Sequence, residues 1–533
     1  MAGAILNPIL PGFHPDPSFI RVGADYYIAA STFEWFPGVA LFHSRDLQNW
    51  RPLGQALTRR SQMDLTAVPD SGGIWAPSLS HHDGRFWLVY TVMRTRTGPY
   101  KDMVNRLVTA DAIEGPWSDP IELNSRGFDP SLFHDDDGRK WLVQILWDHR
   151  KDQPSFGGIT VQEFDPATQI LRGPTVKIFA KKDVLIEGPN LYKRNGWYYL
   201  LLAEGGTSWN HAVSLVRSRT LTGPYEEDPL GVVLTSGGRP ELPLQKAGHG
   251  ELVETPAGEW VLAHLASRPL ATPLGPRCPL GRETCLQNVV WSEDGWLRLA
   301  GGGTAPAITI AVPREHPAPA GPPPSKFSDF TGPEWCSLRG PNGTWADFRS
   351  RPGWLRLRGQ ESPASLHAQS LLARRVTTTE FFAEVRVDFQ PAGFLQMAGL
   401  ICYYDTKTHH YFRITRNDAG RILGVVSMED GRYSEQGDVP IPEDGEIRLG
   451  VEWSQTRLQF YFANADAGWQ PVGPTLDASV LSDDFGTGLH FTGAFLGVCA
   501  QDFDTHSTTA DFTAFRYSPR TGHHPYPSSK PCN

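Results

Sequence analysis

Three carboxylates sit in short turns spread along the first half of the chain: Asp16 in His14-Pro15-Asp16-Pro17-Ser18, Asp129 in Phe128-Asp129-Pro130-Ser131, and Glu187 in Ile186-Glu187-Gly188-Pro189-Asn190. Carboxyl groups do acid–base work when one is held protonated and another ionised, and mutual repulsion with partial burial drives their pKa values apart. Cleavage of a glycosidic bond needs that pairing. Its oxocarbenium-like transition state requires a proton on the leaving oxygen and a carboxylate that activates water or attacks the sugar. Two carboxyls suffice and a third can tune them. A lone Asp before Pro is by itself a turn former, so these acids acquire meaning only if the fold brings them together.

The repeat pattern supplies the means. Each acid is followed about ten residues later by an aromatic-rich run: Tyr26-Tyr27-Ile28, Trp141-Leu142-Val143 and Trp197-Tyr198-Tyr199. Two further copies lack an acid at the matching place, Trp75-Ala76-Pro77-Ser78 leading to Phe86-Trp87-Leu88 and His249-Gly250-Glu251 leading to Trp260-Val261-Leu262. Five copies over roughly 250 residues, with several strands per copy, give the period of propeller blades. Innermost strands surround a common axis, so acids read as sharing one register in blades one, three and four converge at one mouth of the channel. Asp83-Gly84-Arg85 and Asn195-Gly196 read as hairpin tips. The run Asp135-Asp136-Asp137-Gly138 lacks the ligands of a twelve-residue calcium loop and reads the same way.

The totals agree with an all-β chain. Its 533 residues exceed what one core serves, and 53 Gly and 45 Pro suit many turns between short strands. A net charge of −9 without a basic run argues against nucleic acid, and no run of about twenty apolar residues suggests a membrane span. The six cysteines form no CxxC pair or zinc spacing. The first residues show no basic region ahead of an apolar run, which predicts a cytoplasmic protein. The boundaries read as a propeller over 1–302, a Pro/Gly-rich linker over 303–325, a β-sandwich over 326–518 and a loose tail over 519–533.

At its motifs the chain resembles glycoside hydrolase family 43, and within it the two-domain β-xylosidases. The resemblance rests on NPILPGFHPDPS (7–18), GGIWAPS (72–78), GFDPSLF (127–133), IEGPNLY (186–192), GHGELVETPAGEW (248–260), CPLGRET (278–284) and FTGAFLGVCAQD (491–502). It implies a five-bladed β-propeller followed by a C-terminal β-sandwich that closes the pocket, and an inverting, exo-acting mechanism. Asp16 then resembles the general base, Glu187 the general acid and Asp129 the residue that tunes that acid. Arg282 is implied as a sugar contact, and Phe33, Trp75 and Phe495 as walls of the terminal-sugar subsite, with Phe495 reaching in from the second domain; His249 reads from its own chemistry as a polar sugar contact, a metal ligand or a hydrogen-bonded core histidine. The implied substrate is a xylooligosaccharide or an arabinofuranoside, so α-L-arabinofuranosidase or dual activity stays open, as does a non-catalytic sugar-binding propeller. No cofactor is required, and the resemblance leaves open a divalent cation such as calcium in the channel near His249, and a homo-oligomer. Inversion expects Asp16 and Glu187 carboxyls about 6.5–9.5 Å apart.

Overall fold

In the computed structural model, which describes residues 3–313, 330–464 and 467–520, five antiparallel sheets follow one another along the chain. The innermost strands of blades one to five are Ser18–Val22, Gly73–His82, Ser131–His134, Ile186–Arg194 and Gln245–Glu254, and each pairs outward with the strands that follow it. Each innermost strand touches the next and the fifth touches the first, which closes the ring. The predicted hairpin tips lie where expected. His82 pairs with Arg85 and Arg194 with Trp197 across two-residue turns, and the three-aspartate run turns between His134 and Lys140.

One backbone feature recurs within or just ahead of every innermost strand. Asp16, Ala76, Asp129, Gly188 and His249 all have left-handed φ, of 52°, 32°, 50°, 55° and 47°. Each lies two residues before the aligned positions Ser18, Ser78, Ser131, Asn190 and Glu251, and the first four are followed directly by proline. This corrects the reading that the three acids share one register. Asp16 and Asp129 do, whereas Glu187 stands one residue earlier, in the place of Trp75 and Phe128.

Two devices seal the ring. Ala4–Leu6 pairs with Thr309–Ala311, and the Asn7 side chain donates to Leu286 O at 2.8 Å and to Ala307 O at 2.9 Å. Across the seam between last and first blades, Glu251 accepts from Phe19 N at 2.6 Å and Ser18 Oγ at 3.0 Å.

The second domain is a sandwich of an eight-stranded and a seven-stranded sheet. Its core lies between them, with Leu400, Phe412, Trp453 and Phe460 wholly buried. The eight-stranded sheet ends on a strand borrowed from the propeller: Trp35–Phe36 pairs with Cys336–Leu338. The outer face of that sheet packs on the propeller, where Phe13, Phe33 and Trp35 meet Leu371, Tyr403 and Phe495. Arg339 reinforces the seam, its guanidinium donating to Val68 O at 2.7 Å and Asp70 Oδ1 at 2.6 Å. The five described cysteines are buried free thiols, while Cys532 lies outside the described residues, as do the linker from residue 314 onward and the tail from residue 521. Among the described residues no helix is long and apolar enough to cross a membrane.

Burial pushes the Glu251 carboxyl up to about 8, against the partial opposition of Phe19 N–H and Ser18 Oγ. Its folded pKa exceeds the unfolded value of about 4.3, so the native state binds more protons in that interval and stability falls as pH rises through it. The denaturant midpoint should decline between pH 5 and 9, and Glu251→Gln, which keeps an acceptor at the seam, should flatten part of that decline. An unchanged slope in the variant would place the proton uptake elsewhere.

Candidate active site

Asp16 is buried beside three groups that favour its ionised form. Arg282 Nη1 lies 2.7 Å from Oδ1, Ser31 Oγ donates to Oδ2 at 2.6 Å, and His249 Nδ1 is 3.8 Å from Oδ1. Burial works to raise its pKa, but Arg282, His249 and Ser31 overcome it and hold the carboxyl below the ordinary range. Arg282, itself 3% exposed, comes from the loop ahead of Glu283–Trp291, the third strand of blade five. Its second terminal nitrogen donates to Phe491 O at 2.9 Å.

The other two acids behave oppositely. Burial, then the charge of Asp16, pushes Glu187 up to about 7 with Arg282 in partial opposition, while burial and the charges of Glu187 and Asp16 raise Asp129 well above the carboxylate range. Both buried carboxyls are thus held above the ordinary carboxylate range. Gly188 N–H donates to Asp129 Oδ2 at 3.0 Å, and among the described residues no hydrogen-bond donor meets the Glu187 carboxylate. The Gly188 N–H offsets part of the rise at Asp129, and Glu187 lacks such a donor. Gly188 is required twice over. Its φ is positive, and an added Cβ would sit 3.0–3.2 Å from the His249 ring. Burial lowers the pKa of that imidazole.

These groups line a cavity of about 300 Å³ whose walls are mostly apolar. Phe33 and Trp75 face each other at 6.0 Å, and Trp75 meets Phe128 edge-on at 5.6 Å. Trp147, Phe156 and Lys101 also line the cavity, with the Lys101 ammonium 4.4 Å from the Trp147 ring centroid. The second domain contributes Leu489 and Phe491, carried on the segment that leads into the strand Phe495–Asp502. Phe491 N–H bonds Ser71 Oγ at 3.1 Å, and Trp75 Nε1–H bonds Ser71 O at 3.0 Å. One residue thus places a wall from each domain.

Asp16, Asp129, Glu187, Phe33, Trp75, His249 and Arg282 all come together in this cavity. Phe495 does not. It is wholly buried and stacked on Trp35 at 3.8 Å and 16°. The first residue of a central sheet strand has its side chain fixed by the pleat, here into the seam between domains. Phe491, four residues earlier and outside the strand, lies over the cavity in its stead. Aromatic spacing did not separate the two, and Ser31, Phe128 and Trp147 carried no signal beyond their place beside the motifs.

The residues present do not fit a divalent cation near His249. Its nearest carboxylate, Asp16, is already held by Arg282, and among the described residues no three His, Cys, Asp or Glu side chains converge with metal-binding geometry.

Residues 5–297 match the family described as glycosyl hydrolases family 43, and residues 326–518 match the β-xylosidase C-terminal concanavalin A-like domain. The chain belongs to glycosyl hydrolase family 43. Members of the family with sequences similar to this chain include xylosidase/arabinosidase 43B of Humicola insolens, 47% identical over 529 residues (97% of this chain, 98% of that protein). A β-xylosidase of Bacillus subtilis (strain 168) is 42% identical over 530 residues (96% and 99%). Among solved structures, a xylan β-1,4-xylosidase from Bacillus halodurans C-125 superimposes with a TM-score of 0.94 at 50% identity, covering 96% of this chain and 100% of that one. The chain is thus a family 43 glycoside hydrolase, with the fold its repeats implied.

The two phenylalanines make separable predictions. Phe495→Ala should cost about 3–5 kcal/mol of stability, as for truncation of a buried aromatic, read from denaturant unfolding. Phe491→Ala should cost less stability and chiefly raise KM. If Phe491→Ala left KM unchanged, that ring would not be part of the sugar-binding wall.

Proposed function

We propose that this hydrolase removes single xylose units from the non-reducing ends of β-1,4-xylooligosaccharides with inversion at the anomeric carbon. The observation that carries the reading is the unequal surroundings of acids within one cavity: Asp16 accepts from Arg282 and Ser31, whereas among the described residues no donor meets Glu187, whose carboxyl burial pushes up to about 7. Asp16 acts as the general base on water, Glu187 as the general acid on the leaving oxygen, and Asp129 as the neighbour that tunes and orients Glu187. Asp16 has a donor on each oxygen, which suits a carboxylate that orients water better than one that must bond to carbon. Phe33, Trp75 and Phe491 supply apolar faces for the terminal sugar, and Arg282 and His249 supply polar contacts beside it. Exo action follows from the sandwich, whose Leu489 and Phe491 form part of the cavity wall and favour entry of a chain end. Arg282 provides the positive charge beside Asp16, and the scheme needs no metal.

An arabinofuranosidase activity at the same site is the second reading, supported by the name of the Humicola insolens relative, which couples both activities. Time-resolved proton NMR with xylotriose tests the first. Early α-xylose together with xylobiose is the expected product pair; early β-xylose would overturn inversion, and no turnover would favour the arabinofuranoside.

The assignments separate by mutation and by pH. Asp16→Ala should reduce kcat by at least about 100-fold for every leaving group, the scale of general-base catalysis. Glu187→Ala should hurt poor leaving groups most, and equal, mild losses in both would sink the roles. With Asp16 low and Glu187 near 7, kcat/KM should be bell-shaped, falling on the alkaline side as pH passes about 7 because Glu187 loses its proton. In Glu187→Gln that alkaline limb should disappear from whatever activity remains.

A further inference from the structure

Ser31 is not among the groups that the family motifs mark, yet it makes the shortest hydrogen bond to Asp16. It follows the strand Asp25–Ala30 of the first blade and is wholly buried. Its backbone N–H donates to Pro15 O at 3.2 Å, which fixes its Cα beside the left-handed turn that presents Asp16. Its hydroxyl has two neighbours, Ala76 N at 2.8 Å and Asp16 Oδ2 at 2.6 Å.

The direction of this chain of hydrogen bonds is forced. A backbone N–H can only donate, so Ala76 occupies a lone pair of Ser31 Oγ. The single hydroxyl proton then points to Asp16, and Asp16 Oδ2 must accept. A carboxylate accepts with both oxygens, whereas a protonated carboxyl gives up part of that capacity. Arg282 takes one lone pair on Oδ1. Two donors on opposite oxygens fix the rotation of the carboxylate plane, which either one alone leaves free, and the remaining lone pairs can hold water.

We propose that Ser31 is a positioning residue for Asp16: oriented by the Ala76 N–H, it fixes the plane of the carboxylate and favours its ionised form. The two donors answer to different parts of the molecule. Arg282 is tied to the second domain through Phe491 O, while Ser31 is tied to blades one and two through Pro15 O and Ala76 N. Ala76 carries the smallest positive φ of the five ring positions and stands between Trp75 and Pro77. That turn therefore places both the Trp75 wall and the donor that sets Ser31.

The inference rests on the reading of Asp16 as base, and the experiment separates the two. The pH profile of kcat/KM is measured for the wild-type protein, Ser31→Ala, Ser31→Cys and Asp16→Ala, with 4-nitrophenyl β-xyloside and with xylobiose. Ser31→Ala should lower kcat/KM by about 10- to 100-fold, the range for loss of a hydrogen bond to a charged group. The loss should fall on kcat, be similar for both leaving groups, and come with an acid limb moved to higher pH, since a donor to the ionised form is gone. Ser31→Cys, close in size and a weaker donor, should move the limb the same way by less, and it carries the test if Ser31→Ala fails to fold. An acid limb that stays in place with kcat/KM within twofold, while Asp16→Ala is inactive, overturns the role of Ser31 alone. Retained activity in Asp16→Ala overturns the base assignment beneath it.

Discussion

A left-handed residue within or just ahead of each innermost strand is the constraint on which the site depends. L-residues avoid this conformation, yet here it appears five times in one ring, four times locked by a following proline. It breaks the regular pairing with the next strand, as the register shifts between Trp75 and Ser78, Glu187 and Asn190, and Gly248 and Gly250 show. Four of the five residues line the cavity: Asp16, Ala76, Asp129 and His249. The fifth, Gly188, has no side chain, and the His249 ring takes up the space. One backbone solution thus serves two acids, an imidazole, a methyl group and a gap. Specificity lies in which blade carries which, and Glu187, one residue out of the ring, is offset from the carboxylates that set its proton affinity.

The cavity is complete only across both domains. Gly281 precedes Arg282 with a φ of 70°, and a Cβ there would meet Thr492 O at 2.4 Å, so the propeller loop and the sandwich segment touch backbone to backbone. Lys246 Nζ bonds Asp484 Oδ1 at 2.6 Å, and Cys278 N–H bonds Asp484 Oδ2 at 2.9 Å. These contacts hold the segment that delivers Phe491, whose carbonyl in turn orients Arg282. The sandwich therefore acts on the chemistry through a guanidinium as well as through an apolar wall. Its propeller-facing sheet is spent on this seam, which explains why that surface carries Tyr403, Phe495 and other large apolar groups.

The sequence made the repeat and the acids legible because blade geometry demands turn residues at fixed spacing, and Pro and Gly mark them. Arg282 was legible from its motif. The single-residue offset of Glu187 was not, since IEGPN and FDPS differ in which residue takes the left-handed place, and glycine there conceals the shift. Phe495 was misplaced because pleat direction at the start of a strand depends on where pairing begins, which aromatic spacing does not record. Ser31 was silent for a different reason. Its partners, Ala76 and Asp16, belong to neighbouring blades, and such a contact becomes visible only after the ring has closed.

The charges in the cavity follow from these positions. Arg282 offsets Asp16, burial lowers the pKa of His249 and raises those of Asp129 and Glu187, and Arg96 and Lys101 line the same cavity. Asp16 is thus the one of the three acids whose surroundings favour the ionised form. A glycosidic bond breaking through an oxocarbenium-like state places positive charge on the sugar, and a preorganised negative site stabilises that charge more than it stabilises the neutral ground state. Placing the proton on Glu187 and keeping it off Asp16 therefore does two things. In the proposed scheme it arms the leaving-group side, and it leaves an ionised carboxylate near the charge that develops on the sugar.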